Sequence, residues 1–367
     1  MIWRFIRLFV AWSTIIVSPL AMAQPAGALG DDFIYRIQQG DTLIELATLY
    51  TRNNANWTTL QRHNTIADPQ RLIIGSELRI PFAVIPEIPA QTTAIHVSGQ
   101  ADVDGSPLRV GMPVNEGSTV TTATDGFVTL QLSDGTKLTL PRGSATQLER
   151  LRQFEGAALT DSVLRVQRGE IDSHVAPAGQ GVGRFEIRTP VAVMGVRGTR
   201  FRVQTSGQSA HSEVLDGRVR IQPQTAQRPS GQPVAVAAGY GAAIGADGKL
   251  NVQPLLPAPQ LGEPHRAGSG LWTAPVTPVP GAVAYLVQVS RDAEGLELTS
   301  SERFDTADIR FSARRPGTHY ATVRAIDAAG LSGRDAYVAF EGANALLSGS
   351  GQPILLSDGG VVVLTDY

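Results

Sequence analysis

Val128-Thr-Leu-Gln-Leu-Ser-Asp-Gly-Thr-Lys-Leu-Thr-Leu140 is the stretch whose pattern decides the architecture. Val128, Leu130 and Leu132 alternate with Thr129 and Gln131, the period of two of a strand with one buried face. Asp134-Gly135 supplies a turn, and Lys137–Leu140 returns as a second strand. A second Asp-Gly, at Asp216-Gly217, separates Glu213–Leu215 from Arg218–Ile221. Short alternating segments with glycine turns fill residues 95–252, which read as one β-rich domain. Beyond a proline-rich connector from Pro254 to Pro264, residues 271–341 again read as strands. The Gly/Ser-rich tail, 342–367, ends in a predicted hairpin of Ile354–Leu356 and Val361–Leu364 around Ser357-Asp358-Gly359-Gly360.

Composition agrees with a mainly β, multidomain fold. The 367 residues exceed one ordinary domain; 38 are Gly, 23 are Pro, and 17% are charged. The formal net charge of -2 provides no basic surface for tracking a polyanion, so nucleic acid is not an expected partner. Zero cysteines exclude disulfides, thiol nucleophiles and thiolate-ligated zinc. Residues 1–23 read as a cleaved signal peptide: Arg4 and Arg7, an apolar run from Leu8 to Val17, then Ala21-Met22-Ala23 before the new N-terminus Gln24. The run is shorter than the ~20 residues of a spanning helix, so no stable transmembrane anchor is expected. The protein is therefore expected to be exported.

Residues 33–82 break the β pattern. Phe33–Ile37 alternates as a strand, and Gly40-Asp41-Thr42 turns the chain. Thr42 with Glu45 three residues on is a capping box, and Leu43, Leu46, Ala47 and Tyr50 fall on one helical stripe. A second short helix carries Trp57 and Leu60, Asn64 to Pro69 is a polar turn, and Leu78 and Ile80 alternate into a closing strand. The unit is a βααβ module, followed by a proline-rich linker at 83–94.

Tyr35-x-Ile-x-x-Gly-Asp-Thr-Leu, then Leu60-x-x-x-Asn64-x-Ile66-x-Asp68-Pro69-x-x-Leu72-x-x-Gly75-x-x-Leu78-x-Ile80-Pro81, resembles the LysM family in order and spacing. The resemblance implies binding of N-acetylglucosamine-containing glycans such as peptidoglycan. Carried over position by position, the groove would set Gly40, Asp41, Thr42 and Leu43 opposite Asn64, Ile66, Ala67, Asp68 and Leu72. Two turns with exposed backbone groups and small apolar contacts suit an acetamido sugar. Asp41, Thr42 and Asp68 equally suit helix capping and turn formation, and Leu43 suits the core. Ile44 stands where the family usually has an aromatic.

In the middle domain, Phe185-x-Ile-x-Thr-Pro-Val-Ala-Val-Met-Gly-Val-Arg-Gly-Thr-Arg-Phe-x-Val resembles the FecR family, together with Gly117-x-x-Val-x-Thr, Leu132-x-Asp-Gly, Gly169-x-Ile171 and Ala238-Gly239-Tyr240-Gly241. Thr189, Pro190, Gly195, Arg197, Gly198 and Thr199 form its structural motif, read as a tight turn with a neutralised guanidinium. Some members of that family relay signals through a membrane-spanning segment and a cytoplasmic region. Here a signal peptide and a LysM-like module stand in that place, so the relay is not expected to transfer. Trp272, Pro280-Gly281-Ala282-x-x-Tyr285-x-Val287-x-Val289 and Gly317-x-x-Tyr320-x-x-Val323-x-Ala325-x-Asp327-x-x-Gly330 resemble a fibronectin type III-like strand set, with Trp and Tyr as core.

The histidines at 63, 96, 174, 211, 265 and 319 are dispersed without zinc-binding spacing, and neither a Gly-x-Ser-x-Gly turn nor a Walker loop occurs. The pattern names no metal, cofactor or catalytic residue. The expectation is a periplasmic or wall-associated, non-catalytic peptidoglycan-binding scaffold, with an envelope protein as a further partner. The alternative is an envelope signalling or assembly factor acting through the FecR-like domain.

Overall fold

The computed structural model describes residues 27–29, 31–154, 159–176, 182–196, 198–226, 228–267, 271–313, 317–342, 344–345, 354, 356 and 362–364. The expected signal peptide lies outside them. So does the turn of the terminal hairpin; Val362 N donates to Ile354 O at 2.8 Å, and Asn344–Ala345 pairs with Val363–Leu364. Among the described residues no helix is long and apolar enough to cross a membrane.

The architecture is mainly β, and among the described residues the α-helices fall within the N-terminal module. That module consists of strands β1 (Gly27–Leu29), β2 (Asp32–Arg36) and β3 (Glu77–Pro81) in the order β1-β2-β3, with helices α1 (Leu43–Thr51) and α2 (Trp57–His63) between β2 and β3. Thr42 caps α1: its Oγ1 accepts from Glu45 N at 3.2 Å, the N-cap half of a capping box, and donates to Glu45 Oε2 at 2.9 Å. The stripe Leu43, Leu46, Ala47 and Tyr50 is buried with Leu60, Phe33, Leu78 and Ile80. Strand β1 was not visible in the sequence pattern. It lies along β2 and also against the barrel strand Val182–Arg188.

Strands from Glu87–Pro89 to Leu250–Pro254 close into a barrel around an aliphatic core. The turn at Asp134-Gly135 joins paired strands, with Lys137 opposite Gln131 and Leu138 opposite Leu130. The turn at Asp216-Gly217 does not. Ala210–Asp216 pairs with Arg200–Thr205 and Tyr240–Ile244, whereas Arg218–Thr225 pairs with Ala192–Val196 and Val234–Ala237. The chain crosses there from one side of the barrel to the other. The long strand Leu159–His174 serves both sides, pairing first with Ala145–Phe154 and then with Arg200–Thr205. It passes at Gly169, whose φ is +80° and where a Cβ would meet Ser144 Cα at 2.6 Å.

In the third unit, a three-stranded sheet containing Leu271–Thr273 and Arg310–Ser312 and a four-stranded sheet led by Ala282–Ser290 and Thr318–Asp327 contribute to one core. Phe340 packs between Trp272 and Phe311, at centroid distances of 5.6 and 4.8 Å, and Tyr285 is buried.

Residues 83–94, expected as a linker, are built into the barrel. Strand β4 (Glu87–Pro89) pairs with Arg152–Phe154, and β5 (Thr92–Ser98) pairs with Phe127–Leu132. Proline at position 89 is tolerated because β4 is only three residues long and pairs through Pro89 opposite Arg152. The N-terminal core also takes in Phe154 and Leu159 from the barrel, with Phe82 stacked on Phe154 at 5.0 Å and 16°. Arg184 sits over the Phe82 ring at 4.9 Å and grips buried Asp161 through Nε and Nη2, both at 2.6 Å.

Candidate functional site: two turns beside the small sheet

The turn before α1 is held from inside. Asp41 Oδ2 accepts from Gln38 N at 2.7 Å and from Tyr35 OH at 2.8 Å. Gly40 takes φ +94°, with open space where a Cβ would stand. Burial and the Asp41 carboxylate raise the Tyr35 phenol well above its ordinary value, and the same causes push Tyr50 up to about 12. Asp41 therefore organises the turn, and its own N–H donates to Gln38 O at 3.3 Å. Asp41→Ala removes both bonds and is expected to cost about 1–3 kcal/mol, read as a shift in urea unfolding followed by Trp57 fluorescence.

The loop after α2 is also anchored. Asn64 Nδ2 donates to Leu60 O at 2.8 Å and to Arg79 O at 2.7 Å, and its Oδ1 accepts from Arg79 N at 2.7 Å. The amide thus behaves as one more strand residue along the edge of β3, and its hydrogen-bonding capacity is largely used. Gln61 holds Ile66 through both backbone groups, at 3.0 and 3.1 Å. Asp68 Oδ1 accepts from Gln70 N at 2.9 Å, making a local turn. Ile66 and Leu72 pack half-buried on the core, Leu43 is buried, and Ala67 is exposed.

Among the described residues no hydrogen bond joins Gly40–Leu43 to Asn64–Leu72. What the structure does bring beside Gln38–Thr42 is the next turn. Gly75 N donates to Ile37 O at 2.8 Å and Ile37 N donates to Ser76 O at 3.0 Å. That turn exposes Ile73 and Ile74, 75% and 63% accessible, while Ile44 in the first turn of α1 is 52% accessible. Of these three exposed aliphatics, Ile44 holds the position where the family usually has an aromatic, and Ile73 and Ile74 are the ones that the sequence pattern did not single out. Ile73 and Ile74 adjoin a glycine turn and match neither helix nor strand periodicity, which was the available signal.

The motif in the barrel is tied together locally. Thr189 Oγ1 accepts from Ala192 N at 3.0 Å ahead of the strand Ala192–Val196, with Pro190 between them in the turn. Gly195 is a strand residue opposite Glu186 and Arg220, Gly198 has φ +54°, and Thr199 Oγ1 donates to Arg218 O at 3.2 Å. Arg197 lies outside the described residues. Phe185 and Phe201 meet edge to face in the core behind this turn. No cluster of three or more His, Asp or Glu side chains arranged for a metal occurs among the described residues.

Compared with known families, residues 35–81 match the LysM domain, and residues 118–220 match the family described as FecR protein. No curated protein matches the chain. Two crystal structures of a candidate anti-sigma factor from Parabacteroides distasonis align at 16% identity with TM-scores of 0.30 and 0.29. Each alignment covers 37% of this chain and 59% of the other, so this chain spans about three fifths of their length.

Proposed function

We propose that this is an exported, non-catalytic peptidoglycan-binding protein that scaffolds at the cell wall through residues 33–82. The observation that carries the reading is the exposed Ile73-Ile74 turn, tied through Gly75 N and Ser76 O to Ile37 just ahead of the exposed Gly40, within a segment that matches the LysM domain. Apolar side chains next to free backbone donors and acceptors are what an N-acetyl group requires: contact for its methyl and partners for its amide. Gly40, Asp41, Thr42 and Leu43 would contribute backbone groups, with Asp41, Thr42 and Leu43 side chains serving the turn, cap and core. Across from them Ile66, Ala67, Asp68 and Leu72 would form the wall that Asn64 fixes to β3. The surface is shallow, so affinity for one site is low and grows by repeated engagement along a polymer.

The test is sedimentation of the full chain with purified peptidoglycan, with titration of an N-acetylglucosamine oligomer. Ile73→Ser together with Ile74→Ser is expected to weaken binding about tenfold or more, from the apolar area lost, without changing the melting temperature. Wild-type binding by that folded double variant would remove this turn from the site.

The match of residues 118–220 to the FecR family favours a second reading, an envelope signalling or assembly factor. Recovery of an outer-membrane transporter on the immobilised full chain, undiminished by the same double substitution, would support it.

A further inference from the structure

The barrel strands that alternate most clearly present a polar outer face: Thr129, Thr139, Glu170, Asp172, Arg200, Arg202 and Glu213. On an isolated barrel this face would be solvated. Here the third unit covers it, and Thr129, Arg202 and Glu213 are buried. Two loops of the third unit do the covering. From residues 291–297, Leu296 O accepts from Thr129 Oγ1, and Glu294 pairs with Lys137 at 3.0 Å. From residues 330–335, Ser332 N donates to Glu213 Oε1 at 3.0 Å, Gly333 O accepts from Arg202 Nη2 at 2.7 Å, and Leu331 packs over Gly241 beside Leu255.

The charges enclosed there do not balance. Arg200, Arg202 and Arg324 converge on Asp335 at 3.3, 3.1 and 3.0 Å. Arg202 also faces Glu213 at 3.9 Å, and Arg324 faces Glu170 at 3.6 Å. Asp172 acts on Arg200, Arg202 and Glu170 through space. Four carboxylates thus meet three guanidiniums among the described residues. His174, 3.7 Å from Asp172, does not make up the difference, because burial lowers its pKa. His211, against Gly330, is lowered by burial in the same way. Tyr337 is a neutral phenol donating to Asp335.

We propose that the third unit is a proton-coupled cover for this face of the barrel: closing it traps one proton on Glu213, and opening it releases that proton and bares a charged β surface. An uncompensated carboxylate in a water-poor interface neutralises rather than remaining charged. Burial raises the pKa of Glu170 as well, but its side chain is 18% exposed, so Glu213 is the member that does so. It is 2% exposed, and the terminal nitrogens of its nearest guanidinium are committed to Asp335 and Gly333 O, which leaves only Nε towards it, at 3.9 Å. Burial, partly offset by Arg202, pushes its pKa up to about 7. Asp335 goes the other way, since the three guanidiniums outweigh its burial and hold it well below the usual carboxylate range.

Glu213, raised on closing, favours the closed state fully below the ordinary glutamate value of about 4.3 and loses that contribution as pH rises towards about 7. Asp335, lowered on closing, contributes above about 3.9 and loses its contribution in stronger acid. The cover is therefore tightest near pH 4–5 and loosens by about tenfold per pH unit up to about 7, one proton's worth.

Hydrogen exchange on the full chain reads this directly, because the Ser332 amide is bonded to Glu213. Its protection factor is expected to fall about tenfold per pH unit between pH 5 and 7. Glu213→Gln, which keeps an acceptor for Ser332 N, is expected to remove that slope. The Leu130 amide in the barrel is the control, with no comparable slope. A flat wild-type profile, a slope surviving in Glu213→Gln, or an equal slope at Leu130 would each overturn the proposal. If Glu213→Gln does not fold, the wild-type comparison of Ser332 with Leu130 still decides it.

Discussion

Asp335→Ala is expected to destabilise the chain by about 3–5 kcal/mol, the usual cost of removing one partner from a buried ionic cluster. The number comes from what is left behind rather than from what is lost. Arg202 is fully buried and Arg324 is 2% exposed, and both lose the carboxylate that faces them at 3.1 and 3.0 Å. Burial opposes the Arg202 charge, and the surrounding carboxylates sustain it, with Asp335 the largest favourable influence. Glu213 and Glu170 remain, at 3.9 and 3.6 Å, too far for strong hydrogen bonds. Asp335→Asn should cost less, since an amide oxygen still accepts from a guanidinium. Urea unfolding followed by Trp272 fluorescence gives the comparison. A loss below about 1 kcal/mol in the alanine variant would mean that water satisfies the arginines and that the interface is open in solution.

That interface shows where sequence reading stops. Alternation told correctly which residues of Val128–Leu140 face the core, since Val128, Leu130, Leu138 and Leu140 are buried there. The same alternation sets Thr129 on the face away from that core, yet it is 0% exposed, and Thr139 opposite it is 3% exposed. Period two reports chemistry on each face, and a polar face covered by a second polar surface looks the same as one covered by water. The two Asp-Gly turns make the same point for topology. Both read alike, yet only Asp134-Gly135 joins paired strands, because local turn chemistry does not say which strand lies alongside. Residues 83–94 read as a linker from their prolines, and a three-residue strand beside Ala145–Phe154 needs no sequence signature of its own.

The candidate site was more legible, being built from local interactions. The Thr42–Glu45 box, the α1 stripe and the closing strand all fall within about fifty residues, and each stands where spacing placed it. The side-chain roles inside the turns were not legible. Asn64 and Asp41 have the chemistry of sugar ligands, but the Asn64 amide is spent on Arg79 and Leu60, and Asp41 Oδ2 on Gln38 and Tyr35. A motif position conveys residue type and place in the chain; which partner takes its hydrogen bonds depends on a strand that closes fifteen residues later.

Phe154→Ala is expected to cost about 3–5 kcal/mol, the range for emptying a buried aromatic site. The loss should fall unevenly along the chain. Phe154 belongs to the barrel strand Ala145–Phe154, yet its ring is 1% exposed within the core of the N-terminal module, stacked on Phe82. Removing it opens a cavity beside Phe82, Ile85 and Leu159 and withdraws the ring that backs Phe82 where Arg184 lies over it. The barrel core is a separate cluster and keeps its contacts. Hydrogen exchange should therefore rise across α1, α2 and β3 before it rises in Phe127–Leu140. Peptidoglycan sedimentation should weaken in parallel, because the two turns are anchored to strands that this core supports. Leu159→Ala, at the other barrel residue in the same cluster, should reproduce the pattern at about 2–5 kcal/mol. Uniform destabilisation of module and barrel would show that they unfold as one unit. Unchanged exchange in α1 and β3 would show that the module's core is complete without the barrel, free to fold and bind alone.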